Sequence, residues 1–134
     1  NATFGILQRE GFAKATTKRI AAEAGVNEVT IFRNFKNECV GFEVFDHAGY
    51  AEEGSDIVCA AISILTINTM NAIEQFTDVD FTQEVDEESC SIRFMVDKST
   101  KETTLLLETM VLGLQTLEDD NNYTEYIDII FEEV

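Results

Sequence analysis

The sequence predicts an α/β fold of the two-layer α+β type, in which two helices pack on one face of a mixed sheet. Two long segments, residues 57–75 and 100–118, carry apolar side chains at helical spacing. Short segments rich in β-branched and aromatic residues lie before, between and after them, which gives the order ββαββαβ. The chain has 134 residues, enough for one moderate core. Its first residues add a short helical segment.

The first two strands are predicted at residues 29–34 and 40–45, joined by a polar turn. The second strand alternates apolar side chains with others, as a strand with one buried face does. The first segment is ambiguous, because NEVTIFRNF also suits a helix and a short apolar run cannot be assigned from periodicity alone. A strand at 40–45 needs a neighbour for its backbone hydrogen bonds, so the sequence favours the hairpin.

The later elements follow from the same patterns. Residues 80–86 and 90–96 are predicted strands on either side of an acidic turn, and residues 126–131 form a last strand. The first long helix is predicted to have Asp56 as its N-cap, since an aspartate oxygen can accept a hydrogen bond from a free N–H of the first turn.

Charge is distributed unevenly along the chain. Residues 1–37 carry six Lys or Arg and three acids, a net of +3, whereas the other 97 carry three basic residues and 23 acids, a net of −20. Such a break predicts two parts. The first predicted strand begins at residue 29, so the parts are residues 1–28 and residues 29–134. The acidic part should repel nucleic acid and attract basic partners.

The three cysteines, Cys39, Cys59 and Cys90, are irregularly spaced. This spacing suggests neither a disulfide framework nor a metal site, and we expect reduced thiols in the cytoplasm. No apolar run is expected to reach the length of a membrane span, and no cofactor is predicted.

A possible catalytic pair lies in residues 46–63, DHAGYAEEGSDIVCAAIS. A cysteine is nucleophilic as a thiolate, which an imidazole and a helix N-terminus both favour. With Asp56 as N-cap, Cys59 would be the third helical residue, near unpaired N–H groups that could also hold an oxyanion. A loop containing Gly49 could bend so that His47 reaches the thiol.

Spacing by itself favours a plainer interpretation of this segment. Isolated cysteines and histidines are common, and no third member of a catalytic triad is visible, so Cys59 is more simply a buried helix cysteine and His47 a turn residue. Ser63 lies one turn beyond Cys59 on the same helix face, either as a supporting residue or as an ordinary packing serine.

The same segment resembles the signature of the Prp family of ribosomal-processing cysteine proteases. The shared features are the His-Ala pair, a glycine-containing acidic loop, Asp-Ile-Val-Cys-Ala and a serine four residues past the cysteine. The likeness extends through LLLETMVLGLQTL in the second helix and covers about residues 28–134. It implies that His47 is the general base, Cys59 the nucleophile and Ser63 a supporting residue. It also implies that Asp56 stabilises the helix start.

The resemblance further implies an activity and partners. Prp-like proteins are cysteine endopeptidases that remove a short N-terminal extension from a large-subunit ribosomal protein, and they are typically homodimers. One position departs from the pattern: Asp46 stands where the family has glycine. We expect its carboxylate either to raise the pKa of His47 or to hinder the approach of the substrate.

The start of the chain resembles a different family. GFAKATTKRIAAEAGVNEVTIFRNFKN is similar to the DNA-binding helix-turn-helix of TetR-type transcriptional regulators, a likeness that covers about residues 1–37. It implies that Thr17 caps the second helix and that residues 27–33 form the recognition helix, with Asn27, Thr30 and Arg33 as DNA contacts. The alternative functions are therefore a TetR-type regulator, which requires helix at residues 29–34, or a non-catalytic interaction domain.

Overall fold

A computed structural model of the protein describes residues 26–45, 53–86 and 91–134. Several sequence predictions lie outside these residues, namely the N-terminal helical segment, the loop that holds Asp46, His47 and Gly49, and the acidic turn with Cys90.

The predicted order of elements is confirmed. In the described part of the chain, five strands and two long helices follow one another as ββαββαβ, and a short 3₁₀ turn at Thr124–Tyr126 precedes the last strand. Their bounds are β1 Asn27–Arg33, β2 Cys39–Phe45, α1 Glu53–Phe76, β3 Phe81–Asp86, β4 Ser91–Val96, α2 Lys101–Asp119 and β5 Ile127–Glu133.

The hairpin interpretation of residues 29–45 is correct. β1 and β2 pair antiparallel, with Val29 opposite Val44 and Ile31 opposite Phe42. The turn between them uses Asn37 at a φ of 62°, a left-handed conformation that asparagine tolerates better than most residues.

The strands form one mixed sheet in the order β3-β4-β2-β1-β5. β5 pairs parallel with β1, whereas all the other neighbours are antiparallel. A parallel neighbour needs a crossover, which the α and β elements between β1 and β5 provide. β1 therefore lies inside the sheet, bonded on both sides.

Both helices lie on the same face of the sheet. α2 contacts it through Glu108, which pairs with Arg33 of β1, and through Glu118, whose carboxylate accepts a hydrogen bond of 3.2 Å from the N–H of Ile129. α1 packs against α2 where Gly113 leaves room for Leu65. The core between helices and sheet is built from large apolar side chains, among them Val29, Ile31, Phe42, Val58, Ile62, Ile73, Phe94, Leu107 and Leu114.

The start of α2 follows a common capping pattern. The Thr100 hydroxyl accepts a hydrogen bond from Thr103 N, and the Thr103 hydroxyl accepts one from Thr100 N. Each threonine thus satisfies a backbone donor that the first turn leaves free.

α1 contains a longer apolar segment than the sequence analysis predicts. Residues Ile57–Phe76 are long and apolar enough to cross a membrane, with a mean hydropathy of 1.5. Val58, Ile62 and Ile73 of this helix are buried in the core, and 33% of its most apolar 18-residue window is buried. Length and composition alone are weak evidence for a membrane span.

Candidate active site

The predicted nucleophile lies in α1. Cys59 is a free, partly buried cysteine that follows Val58, a side chain fully enclosed in the core. Ser63 is also partly buried and lies four residues further along the same helix, so the two side chains share one side of α1. The structure thus brings these two candidates together at the margin of the buried face.

The predicted N-cap at Asp56 is wrong. α1 begins at Glu53, which makes Asp56 the fourth helical residue and Cys59 the seventh. An N-cap residue has a non-helical backbone, so a residue inside the helix cannot act as one. The unpaired N–H groups belong to the first four residues of a helix, and the effect of the helix dipole fades within the first turn. Cys59 is therefore too deep in α1 for the helix start to favour its thiolate form strongly.

The other described cysteine does not suit nucleophilic chemistry. Cys39 opens β2 with none of its side chain exposed. Burial is the largest cause that raises the pKa of its thiol, to about 11. A neutral, enclosed thiol neither reaches a substrate nor ionises near neutral pH. Cys59 is thus the better nucleophile of the two.

One end of the sheet lies next to the predicted loop. Glu28 of β1 pairs with Phe45, the last residue of β2, and Phe45 pairs with Ser91, the first residue of β4. His47 follows two residues after the end of β2 and lies outside the described residues. The chain then enters α1 at Glu53. The loop that would carry the general base therefore links this end of the sheet to the helix of Cys59.

From the sequence alone, Glu28 is one of the three acids in residues 1–37, with no predicted place in the site. It pairs with the last residue of β2 and is 1% exposed, so it adds a buried carboxylate to this end of the sheet. Once residues 29–34 are assigned to a strand, extending that strand by one residue would have indicated its position. No group of three or more His, Cys, Asp or Glu within the described residues could hold a metal ion.

The residues predicted to contact DNA lie in β1 instead of a helix. Asn27 is fully buried, and its amide donates a hydrogen bond of 3.2 Å to the carbonyl of Tyr126. Thr30 is 1% exposed, between strand partners Glu43 and Ile130. Arg33 pairs with Glu108. These side chains cannot reach a DNA groove while β1 is formed, and Thr17 lies outside the described residues.

Comparison with known proteins decides the family. The profile of the cysteine protease Prp family matches residues 27–128. The chain belongs to this family. It is therefore a cysteine protease, and the mixed sheet with two helices is the Prp fold.

Individual Prp proteins agree with this assignment. The ribosomal processing cysteine protease Prp of Bacillus subtilis is 28% identical over 98 residues, which cover 69% of this chain and 88% of that protein. A crystal structure of Prp from S. aureus with a substrate peptide superposes with a TM-score of 0.73 at 28% identity, over 80% of this chain and 100% of that one. A second S. aureus structure, with a covalently linked product peptide, has a TM-score of 0.69 at 29% identity and the same coverage.

The N-terminal resemblance is also found, over a shorter length. The profile of the TetR family of bacterial regulatory proteins matches residues 1–37. An uncharacterized HTH-type transcriptional regulator of Bacillus subtilis is 50% identical over 38 residues, which are 28% of this chain but 20% of that protein. Residues 27–37 are therefore matched by both families, and in the structure they contain β1 and the hairpin turn.

Proposed function

We propose that this protein is a cysteine endopeptidase that removes a short N-terminal extension from a large-subunit ribosomal protein, with Cys59 as nucleophile and His47 as general base. The observation that carries the proposal is the match of residues 27–128 to the Prp family, within which Cys59 is partly buried in α1 and follows His47 by twelve residues in the sequence. The names of the Prp relatives, which are ribosomal processing proteases, support the substrate.

The chemistry proceeds through a covalent intermediate. His47 takes the thiol proton, and the Cys59 sulfur attacks the scissile carbonyl carbon of the peptide. The C–N bond breaks as His47 gives the proton to the leaving amine, and water then hydrolyses the thioester with His47 again as base. The S. aureus Prp with a covalently linked product peptide is consistent with this route.

Four further residues support the pair in this proposal. Asp46 lies next to His47 and favours its charged form, whereas Gly49 lets the loop bend over the substrate. Asp56 is the fourth residue of α1, a position where the helix dipole favours an acidic residue. Ser63, one turn beyond Cys59, borders the substrate on the same side of the helix.

Electrostatics favours a basic substrate. The 97 residues after residue 37 carry a net charge of −20, from three basic residues and 23 acids. A field of this sign raises the local concentration of cationic peptides and speeds their association, most strongly at low ionic strength. An extension on a basic ribosomal protein suits this field, and a ribosomal substrate supports a cytoplasmic location in this proposal.

The protein also forms a homodimer in this proposal. Large apolar side chains remain exposed along both helices at a spacing of seven residues, Ile57 with Ile64 and Leu105 with Leu112. Ile64, Leu105 and Leu112 are each about two-thirds exposed. Apolar residues seven apart lie on one side of a helix, as in a helix–helix seam. A second copy would cover this surface, and the sheet would remain on the outside.

The chain divides into two parts. In this proposal residues 1–28 are the TetR-like fragment and residues 29–134 the protease domain, a division set by the first predicted strand. β1 begins at Asn27, so we place the start of the protease domain two residues earlier than the predicted strand does. A DNA-binding function is not proposed, because the residues required for the recognition helix are those of β1.

The test is mass spectrometry of a peptide that represents the N-terminal extension of the ribosomal protein. We expect the intact protein to release a single N-terminal fragment, Cys59→Ala to release none and Cys39→Ala to retain activity. Cleavage that persists in Cys59→Ala would contradict the nucleophile assignment. Binding of the peptide by the wild type without cleavage would favour the non-catalytic interaction domain.

A further inference from the structure

The outer edge of β3 is exposed to solvent. β3 is the first strand in the order of the sheet, and β4 is its only strand neighbour in the part of the chain that the structure describes. The side chains of residues 82–86 are all exposed. An edge strand presents backbone N–H and C=O groups that a further strand can bind.

The register of the β3–β4 pair shows which backbone groups of β3 point outward. Just before β3, the N–H of Asp97 donates a hydrogen bond of 2.8 Å to the carbonyl of Asp80, which makes these two residues a hydrogen-bonded pair. In an antiparallel ladder such pairs recur at every second residue. The residues between them, Phe81, Gln83 and Val85, therefore direct their N–H and C=O groups away from β4. None of these groups forms a hydrogen bond with a residue that the structure describes.

The opposite edge of the sheet is partly closed by the chain itself. On β5, Ile129 directs its N–H away from β1, and the carboxylate of Glu118 in α2 accepts it at 3.2 Å. Lysines, prolines and bulges are common means by which proteins protect a sheet edge. β3 has none of them, because its sequence is FTQEVD and its pairing with β4 is regular over six residues. The chain therefore leaves this edge available to a partner.

The two faces of β3 differ in chemistry. The centre of the Phe81 ring lies 5.0 Å from that of Phe94 in the core, so Phe81 and Val85 lie on the helix side of the sheet. Strand alternation then places Glu84 and Asp86 on the other side, called the far side here. Val85 is 56% exposed, which leaves an apolar side chain uncovered at the edge. β3 therefore has an uncharged helix side and a far side with two acids.

Charge and side-chain pairing indicate what kind of strand fits this edge. Residues 77–90, which contain β3, hold six acids and no basic residue. Side chains directly opposite each other on paired strands are neighbours, so basic residues opposite Glu84 and Asp86 are favourable and acids there are unfavourable. A second copy of β3 would place acids opposite acids. A fitting strand has basic residues on its far side and apolar residues on its helix side.

We propose that the outer edge of β3 binds an extended peptide segment in which basic and apolar residues alternate, and that this segment forms a further strand of the sheet. The outward N–H and C=O groups of Phe81, Gln83 and Val85 bind its backbone. Its basic side chains lie beside Glu84 and its apolar side chains beside Val85. Backbone hydrogen bonds thus supply affinity, and the alternating side chains supply selectivity.

A role for this edge in proteolysis rests on the proposed function. β3 ends level with Phe45 of β2, because Asp86 pairs with Ser91 and Ser91 pairs with Phe45. In the sequence, His47 follows Phe45 by two residues. A basic segment of the ribosomal protein bound along β3 would therefore be held at the end of the sheet from which the chain continues to His47.

Peptide binding to the full chain with Cys59→Ala tests the proposal without interference from cleavage. The probe is a fluorescein-labelled peptide of alternating lysine and valine, and fluorescence anisotropy measures its dissociation constant. A peptide of the same composition, with its lysines and valines in separate blocks, is the matched control. We expect the alternating peptide to bind at least about tenfold more tightly, because only this peptide presents a basic side and an apolar side as a strand. Equal affinities would overturn the proposal.

A matched pair of variants tests one outward N–H group of β3. Gln83→Pro removes the N–H that the peptide would bind and leaves the hydrogen bonds to β4 in place, whereas Gln83→Ala keeps that N–H. We expect peptide binding to weaken at least about fivefold in Gln83→Pro and less than about twofold in Gln83→Ala. Circular dichroism checks that both variants fold. Equal affinities would overturn the proposal, and so would a loss of dimer in Gln83→Pro, which would assign the edge to a second copy.

N-methylated peptides test the same contact without a change in β3. Methyl groups on the backbone nitrogens of either all valines or all lysines block the N–H groups along one edge of the peptide strand. We expect one set to weaken binding at least about tenfold and the other less than about threefold, because only one edge of the peptide faces β3. Equal effects of the two sets would overturn the proposal.

These binding measurements and the cleavage assay can fail separately. A protein that binds the alternating peptide through β3 but cleaves no ribosomal peptide would contradict the proposed function and leave the β3 site in place. A protein that cleaves the ribosomal peptide but shows no binding sensitive to Gln83→Pro or to N-methylation would contradict the β3 site alone.

Discussion

Arg33 at the end of β1 donates two hydrogen bonds to the carboxylate of Glu108 in the middle of α2. One joins Nη2 to Oε1 at 3.1 Å, and the other joins Nη1 to Oε2. The hydrogen bonds raise the pKa of the arginine, and its guanidinium carbon also lies 5.2 Å from the centre of the Phe131 ring. Arg33 is expected to contact DNA under the TetR interpretation. In the structure it instead joins β1 to α2.

We predict that Arg33→Lys destabilises the protein although it keeps the charge. A lysine cannot form the two parallel hydrogen bonds of the guanidinium fork. The side chains are 18% and 38% exposed, so solvent screens the pair and the expected loss is about 1–2 kcal/mol. Urea unfolding measures this loss of stability, and Lys36→Ala serves as a control at an exposed position. A double-mutant cycle with Glu108→Gln should show coupling, and strictly additive effects would contradict this prediction.

Cys59 should react with iodoacetamide faster than Cys39 at neutral pH. Cys59 is partly exposed, whereas Cys39 is enclosed and its pKa is about 11. If His47 is the base, His47→Ala should slow Cys59 several-fold and leave Cys39 unchanged, because removing the imidazole lowers the thiolate fraction. Peptide mapping gives the rates. Equal rates for both thiols would contradict the assignment.

Stability should fall between pH 9 and pH 11 because of Cys39. Burial raises its pKa from 9.0 to about 11, so the unfolded chain releases the thiol proton at a lower pH than the folded protein. The stabilisation is fully present below pH 9 and is lost as pH rises through 11, a change of about 2–3 kcal/mol. Urea unfolding across this range should show a smaller fall for Cys39→Ala than for the wild type. An equal fall in the free energy of unfolding for both proteins would show that Cys39 does not cause the loss of stability.

Gly41→Ala should be much more destabilising than Gly113→Ala. A methyl group at Gly41 would lie 2.2 Å from the carbonyl oxygen of Phe94, a backbone atom that cannot move without breaking the β2–β4 pairing. At Gly113 it would lie 2.9 Å from Leu65 Cδ2, the end of a flexible side chain. We expect a loss of at least about 2 kcal/mol at position 41. At position 113 the gain in helix propensity, about 1 kcal/mol, offsets part of the cost.

Thermal unfolding compares the two glycine variants directly. A Gly113→Ala variant that unfolds at the same or a lower temperature than Gly41→Ala would contradict the distinction between backbone and side-chain neighbours.

The proposed dimer should dissociate in Ile64→Lys. This side chain is 69% exposed in the middle of the apolar seam, where a buried charge without a partner would be costly. Phe35→Lys is a matched control, since Phe35 is 80% exposed but lies in the β1–β2 turn. Sedimentation velocity should show a dimer for the wild type and the control, and a monomer for Ile64→Lys. A monomeric wild type would refute the dimer.

Local patterns in the sequence were sufficient for the order and type of the elements. The two helices repeat apolar residues at helical spacing over many turns, and Thr100 with Thr103 forms a recognisable cap. The helix start at Glu53 was missed because residues 53–55, Glu-Gly-Ser, carry no apolar periodicity that would mark the first turn. Because α1 begins one turn earlier than predicted, Cys59 lies beyond the first helical turn, and the proposed activation of its thiol rests on His47.

The pairing of distant segments was decided only by the tertiary structure. By itself, the sequence determined two helices, a set of strands, a break in charge and a cysteine that follows a histidine by twelve residues. Whether residues 27–33 are strand or recognition helix depended on hydrogen bonds to β2 and to β5, about 100 residues away. Local propensity is nearly balanced there, so the backbone bonds and burial that neighbouring strands supply select the strand.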